Sequence, residues 1–433
     1  MAIFHAGDKP DEPDLSIAKW PLQREGLNRP GAPSMQTSPP ALLNRLSSID
    51  AYRGLVMFLM MAEILRIKDV ARHFPDHDTW KLLAFHTSHV GWGGCSLHDL
   101  IQPSFSFLVG AALPFSIASR RSKGQRFGWM LLHALWRAIL LVALGVFLRS
   151  THNNQTRFTF EDTLSQIGLG YVFLFLLGFC KVRWQLLALV VILVGYWGAF
   201  YWYPLPPTDF DYSSVGVNPE WIEKNPLYTG IAAHWNKNTN LAWSLDQQFL
   251  PLFPHEDPLK PNGGGYATLS FIPTLATMIL GLIAGGWLKG DASRSKKFLW
   301  LVAAGGVSLV AGYLLDKYGI CPSVKRIWTP AWVLFSGGWC FLLLAIFYAL
   351  VDVAGMRWLF FPLIVIGMNS IAAYCMAHLI PGFILQSFKI HLGDEIFRYR
   401  GETWEPLLRG GAVLLVYWLI LYWMYRNRVF VRI

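Results

Sequence analysis

Charge is scarce in this chain. Asp, Glu, Lys and Arg make up only 15% of its 433 residues, where soluble domains carry about 25%. That shortage excludes an ordinary soluble globular protein. Cysteine is scarce too. The five cysteines are scattered with no CxxC pair, which excludes a disulfide framework and a thiolate zinc site. Cys95 and Cys321 read as two unrelated thiols rather than a bridge. The amino-terminal stretch lacks a basic start followed by an apolar run, so it does not read as a secretory signal. Residues 1–44 contain no apolar run and are rich in Pro, Ser and Asp, the composition expected of a disordered tail. Acidic residues are outnumbered by basic ones, 27 against 37. No nucleic-acid-binding motif accompanies that surplus, so no nucleic-acid partner is expected.

What the chain has instead is apolar length. Hydrophobic residues make up 54% of it, in long runs separated by short polar loops. A run of about 20 apolar residues spans the hydrocarbon core as a helix, and continuous rather than alternating runs argue against a barrel. The expected runs are 51–67, 100–118, 128–148, 163–180, 184–203, 268–287, 298–315, 329–350, 358–388 and 409–426. The ninth is too long for one straight helix and contains Asn369, Pro381 and Gly382. The expectation is an all-α, polytopic integral membrane helical bundle of about ten transmembrane helices. It occupies 45–433 and carries two long loops, 68–99 and 204–266.

The basic residues fall in the short connections: Arg120, Arg121, Lys123 and Arg126; Lys181 and Arg183; Lys289, Arg294, Lys296 and Lys297; Arg426, Arg428 and Arg432. With ten spans these lie on one side. By the excess of Lys and Arg on cytoplasmic loops that side is the cytoplasm, with both termini. The loops 68–99 and 204–266 then lie outside. Trp and Tyr gather near span ends, as at Tyr201, Trp202, Tyr203, Trp418, Tyr422 and Trp423, where amphipathic rings meet the lipid headgroups.

Polar groups inside spans are costly and mark the places to search for chemistry. Asp50 and Arg53 stand three apart and share a helical face. They read as an interfacial ion pair, or as an anion site with Arg53 facing a phosphate. Glu63 is a lone carboxylate near the outer end of the first span. The segment His86-Thr-Ser-His89-Val-Gly-Trp92-Gly-Gly-Cys-Ser96-Leu-His98-Asp99 runs from a loop into the second span. Ser96 and Asp99 have capping-box spacing, which accounts for Asp99 locally. The three histidines stand three and nine residues apart, which matches no standard zinc pattern, so no metal is expected. His89 or His98 is a candidate general base, since imidazole titrates near neutral pH. Weaker polar features are Gln166, Asn369, His378 and the run from Pro322 to Pro330. The loop 204–266 pairs Trp221, Trp235 and Trp243 with Asn236, Asn238 and Asn240, a composition suited to sugar recognition or to a plain lid.

These motifs have a recognisable order. They are Arg45-Leu-x-Ser-x-Asp50-x-x-Arg53-Gly54; His89-x-x-Trp92-x-Gly94-x-Ser96-x-x-Asp99-Leu100-x-x-Pro103; Phe107-x-x-Gly110; Gln166-Ile-Gly-Leu-x-Tyr171; Gly265 to Thr277; Lys325-x-Ile-Trp328-Thr-Pro; and Gly367-Met-Asn369-Ser. In that order the chain resembles the heparan-α-glucosaminide N-acetyltransferase family of membrane acetyltransferases and its bacterial relatives. The resemblance implies acetyl transfer from cytoplasmic acetyl-CoA to a glucosamine-type amine or glycan across the membrane, with His89 as nucleophile or general base. Asp99 and Glu63 are the further catalytic candidates. Arg53, Arg120 and Arg121 are candidates for the CoA phosphates on charge alone, and Trp92, His98 and Asn369 for the acceptor. Glu63 and His98 depart from the family's common residues, so the acceptor is where this chain is expected to differ. A multi-pass protein of a bacterial inner membrane, with lipid around it and room for a homodimer, is the expected setting. The rival readings are a transporter of a small polar solute, and O-acylation of a periplasmic glycan by the same bundle.

Overall fold

Leucine, isoleucine, valine, phenylalanine and tryptophan run almost unbroken through the described part of the chain, and nearly all of it outside the two long loops is helical. The computed structural model describes residues 46–431 except 152, 256, 257 and 394. The tail expected at 1–44 lies outside the described residues. The principal helices are α1 (Ser47–Met61), α2 (Ile101–Ser122), α3 (Phe127–Ser150), α4 (Thr163–Leu177), α5 (Val182–Trp202), α6 (Phe271–Lys289), α7 (Arg294–Lys317), α8 (Pro330–Phe347), α9 (Phe361–Met368), α10 (Ser370–Leu379), α11 (Pro381–Leu392) and α12 (Glu405–Arg426). Among the described residues the β-type pairing is one isolated bridge, Gly93 with Val324.

Every expected apolar run falls on a helix, but the count of about ten does not hold. Among the described residues seven helices are long and apolar enough to cross a membrane, or eight if α9 and α10, bent by 80° at Asn369, form one broken span. The physical reason is where the helices stop. α1 and α4 have 15 residues each, about 22 Å of rise against a hydrocarbon core of about 30 Å. After α1 the chain tightens, and Arg66 enters the left-handed region at φ 48°. The ninth run is divided into α9, α10 and α11 at Asn369 and Pro381.

The bundle is drawn together by small residues, which let helix backbones touch where lipid offers no hydrophobic drive. Gly281 and Gly285 lie one turn apart on the buried helix α6. A Cβ at Gly281 would strike the Phe107 carbonyl of α2, and one at Gly285 the Ala111 carbonyl. α1 and α9 meet in the same way, with Gly54 against Leu363 and Gly367 against the Asp50 carbonyl. A second apolar cluster, with Trp92, Tyr196, Phe200, Trp235 and Ile327 buried, ties the long loops to the ends of α5 and α8. All five cysteines are free.

Candidate active site

Asp99 stands where the loop enters α2, and its side chain does two things at once. Oδ2 accepts the Ser96 backbone N–H at 3.1 Å and the Val90 N–H at 3.2 Å, while the Asp99 N–H lies 3.3 Å from the Ser96 hydroxyl. That is the capping box the S-x-x-D spacing predicts. Oδ1 is left facing the other way, 2.8 Å from His89 Nδ1 and 3.1 Å from Lys325 Nζ. The local and the chemical readings of Asp99 are therefore both realised, one on each oxygen. A carboxylate accepting from Nδ1–H sets the imidazole's tautomer and leaves Nε2 with its lone pair.

Lys325 comes from the turn before α8. Thr329 caps that helix, accepting the Trp332 N–H at 3.3 Å, and Pro330 takes its first position, the places where a hydroxyl acceptor and a residue without an N–H fit. Trp328 sits at φ +51° with its indole N–H donated to Thr277 at 3.0 Å. This strained, pinned turn carries Lys325 inward, where its side chain is 5% exposed against 1% for Asp99. The next residue holds the loop that follows His89. Arg326 donates to the Val90 carbonyl at 2.9 Å and the Gly264 carbonyl at 3.0 Å, so the peptide after Val90 is fixed from outside. Lys325 and Arg326 were visible in the sequence only as a basic pair before Trp-Thr-Pro; their inward turn was not.

His98 and Glu63 complete the group. His98 Nε2 lies 2.5 Å from Glu63 Oε1, and the His98 ring stands 4.5 Å, centre to centre, from that of His89. The His98 side chain is 7% exposed and Glu63 58%, so a buried imidazole backs a carboxylate open to the cavity. That cavity, about 440 Å³, is lined by Met57, Met60, Glu63, His89, His98, Gln102, Phe105, Arg149, Asp162, Lys325, Tyr374 and His378 among others. These belong to the ends of α1, α2, α3, α4 and α10 and to the loops, so all those ends share one face. The cavity sits where the short helix α1 stops and the short helix α4 begins. Glu63, His89 and His98 each bring a ligand atom within 4.8 Å of the others, enough donors for a divalent cation. The Lys325 ammonium, 3.1 Å from His89 Nδ1, sets a positive charge against one.

Burial pushes the His89 pKa below the ordinary imidazole range. The Asp99 hydrogen bond opposes that shift and the Lys325 charge adds to it. At neutral pH His89 is thus an uncharged imidazole with Nε2 available.

The other residues singled out in the sequence lie elsewhere. Trp92 donates its indole N–H to the Trp235 carbonyl at 3.1 Å and packs edge-on to Trp221, bracing the loops rather than lining the cavity. Asn369 donates to the Val429 carbonyl at 3.1 Å and accepts the Val431 N–H at 3.2 Å, fastening the chain after α12 to the α9–α10 break. Arg53 lies 3.4 Å from Asp50 on α1, about 15 Å of helix rise before Glu63. Arg120 and Arg121 close the far end of α2, about 30 Å of rise from the cavity. Arg120 contacts Gln125 and Arg121 covers the Phe179 ring.

No family model matches the chain. In sequence it is 24% identical over 429 residues to the heparan-alpha-glucosaminide N-acetyltransferase of Homo sapiens, covering 91% of this chain and 60% of that protein. It is likewise 24% identical over 425 residues to the Mus musculus protein of the same description, covering 90% and 61%. The chain spans about 60% of the length of these curated relatives. Seven to eight apolar spans and this similarity make it a multi-pass helical membrane protein and a relative of those transferases.

Proposed function

We propose that this chain is a membrane acetyltransferase that moves an acetyl group from acetyl-CoA to the amine of a glucosamine-type sugar at the face bearing the long loops. The observation that carries this reading is His89, held through Nδ1 by Asp99 beside Lys325 at the edge of a polar cavity. A thioester is already activated. It needs an amine, a base and the exclusion of water.

In the direct course, the neutral acceptor amine attacks the thioester carbonyl carbon. A C–N bond forms, and an amine proton passes to His89 Nε2. The C–S bond breaks, and the CoA thiolate leaves with the proton returned from the imidazolium. Asp99 orients the ring and steadies its charged form. The half-open Glu63 carboxylate accepts a hydrogen bond from the arriving neutral amine, with His98 behind it. Arg53, nearer than Arg120 or Arg121, is our assignment for the donor's phosphates, which would approach from the basic-loop end of the bundle. That end would face the cytoplasm, which supplies acetyl-CoA.

His89→Ala should cut transfer by at least about 10²–10⁴-fold, the usual contribution of a general base, while the protein keeps its melting temperature and its affinity for CoA. Near-normal turnover would remove the basis of the mechanism. Loss in His98→Ala instead would move the base to the second histidine. Labelled acetyl-CoA without acceptor should leave no label on the protein; label on His89 would replace direct transfer with a two-step course through an acetyl-imidazole.

A further inference from the structure

The reaction cavity does not end at its own walls. Three of its lining residues, Glu161, Asn262 and Tyr266, also line a second polar cavity of about 220 Å³. That second cavity shares Thr156 and Phe158 with a third space, about 840 Å³ and almost wholly apolar, lined by Ile139, Val142, Phe147, Leu169, Val172 and Phe173 among others. The third space is a groove on the flank of α3 and α4. Phe147 and Phe173, both exposed, mark where it opens sideways. Phe253, with its ring centre 5.3 Å from that of Phe158 and 5.2 Å from that of Phe160, forms with them the aromatic sill between groove and polar cavity.

Resting on the transferase reading, we propose that the acceptor is a membrane-held glycolipid: an amino sugar joined through an anionic linkage to a long hydrocarbon chain. The three spaces match its three parts in order. The sugar amine sits beside His89 and Glu63, the linkage in the middle cavity, and the chain in the groove. Arg157 and Lys260 line the middle cavity and form no ion pair among the described residues, which leaves their charge for an anion. Glu161 and Asp246 also line it. Asp246 accepts the Thr268 N–H on both oxygens and Glu161 accepts from the Asn262 amide, so these two carboxylates are already engaged within the protein.

The side on which the groove opens supports the same occupant. Phe147 and Phe173 are exposed on the flank of α3 and α4, so a substrate held in the bilayer reaches the groove sideways without leaving the lipid.

The test uses the full-length protein in lipid nanodiscs with acetyl-CoA and two probes. One is glucosamine linked through a phosphodiester to a prenyl chain; the other is the same sugar phosphodiester ending in a methyl group. The expected result is a kcat/KM at least about 100-fold higher for the prenyl probe, since each buried methylene adds to binding. Ala143→Phe and Val172→Phe, which fill the groove, should cut that preference about tenfold or more. Equal kcat/KM for the two probes, or groove variants that keep the full preference, would overturn the proposal. Binding is measured separately by mass spectrometry of the intact protein in detergent. The prenyl probe should stay bound, and an ordinary phospholipid in equal amount should not displace it. Displacement would mean that the groove holds bulk lipid only, and would reject the proposal. Retention and groove dependence without acetyl transfer to either probe would leave the lipid-linked ligand standing and refute the transferase reading instead.

Discussion

Lys325 is 5% exposed and set against both His89 and Asp99, so its removal has consequences that can be signed. Breaking a buried ion pair by removing one partner costs about 3–5 kcal/mol, because the other charge is left unsatisfied. Lys325→Met should therefore lower the melting temperature sharply, and adding Asp99→Asn should restore part of the stability and none of the activity. The pH profile gives a sharper reading. Transfer needs neutral His89, and burial and Lys325 both hold its pKa below the ordinary value of about 6.5. Activity should thus rise with pH and level off below that value. Without the Lys325 charge the His89 pKa rises, so the acid limb in Lys325→Met should move to higher pH. An unmoved limb would mean that Lys325 does not act on His89. Stability has the same sign. A histidine whose folded pKa is lowered binds fewer protons folded than unfolded, so its contribution is lost as pH falls from about 6.5 toward the folded value. At this scale the sequence was legible in His89, Asp99, Glu63 and His98, which the fold brings together. It was not legible in Lys325 and Arg326, because a basic pair in a loop looks alike whether it turns inward or faces water.

Helices in this bundle are placed by the residues that let them approach. Gly281 has no room for a Cβ against the Phe107 carbonyl, whereas the Cβ site at Gly286 meets nothing within 4 Å. Gly281→Val should force α6 from α2 and cost at least about 1–3 kcal/mol, the usual penalty of overpacking. It should lower the yield of folded protein, while Gly286→Ala should be neutral within about 0.5 kcal/mol. Equal melting temperatures for the two variants would show that the α2–α6 contact is loose enough to admit a side chain. The apolar runs were plain in the sequence because lipid demands continuous hydrophobicity. The stops were not. Arg66 at positive φ, the 80° bend at Asn369 and the 15-residue lengths of α1 and α4 are set by packing against neighbours, and hydropathy does not record that. Those early stops make the space that the reaction cavity occupies.

For the molecule as a whole, sidedness is the property that the transfer reading most depends on. From the short basic connections, the 289–294 turn is expected in the cytoplasm and the 204–266 loop outside. In a background cleared of reactive native thiols, Val215→Cys should be labelled in intact cells by a reagent that cannot cross the membrane, and Ala292→Cys only after permeabilisation. Labelling of position 292 from outside would invert the model and put the reaction cavity in the cytoplasm. The sequence alone determined that the chain is a helical membrane protein, since too few charges and too many apolar residues leave no other way to satisfy its backbone. It also determined the helix-to-loop junction where His89 and Asp99 stand, through a capping-box spacing that acts within four residues. Only the tertiary structure decided where α1 and α4 stop, that Lys325 reaches Asp99 from 226 residues away, and that Glu63 and His98 meet. Those depend on contacts between distant segments, formed when small residues let the helices close, and no local pattern carries them.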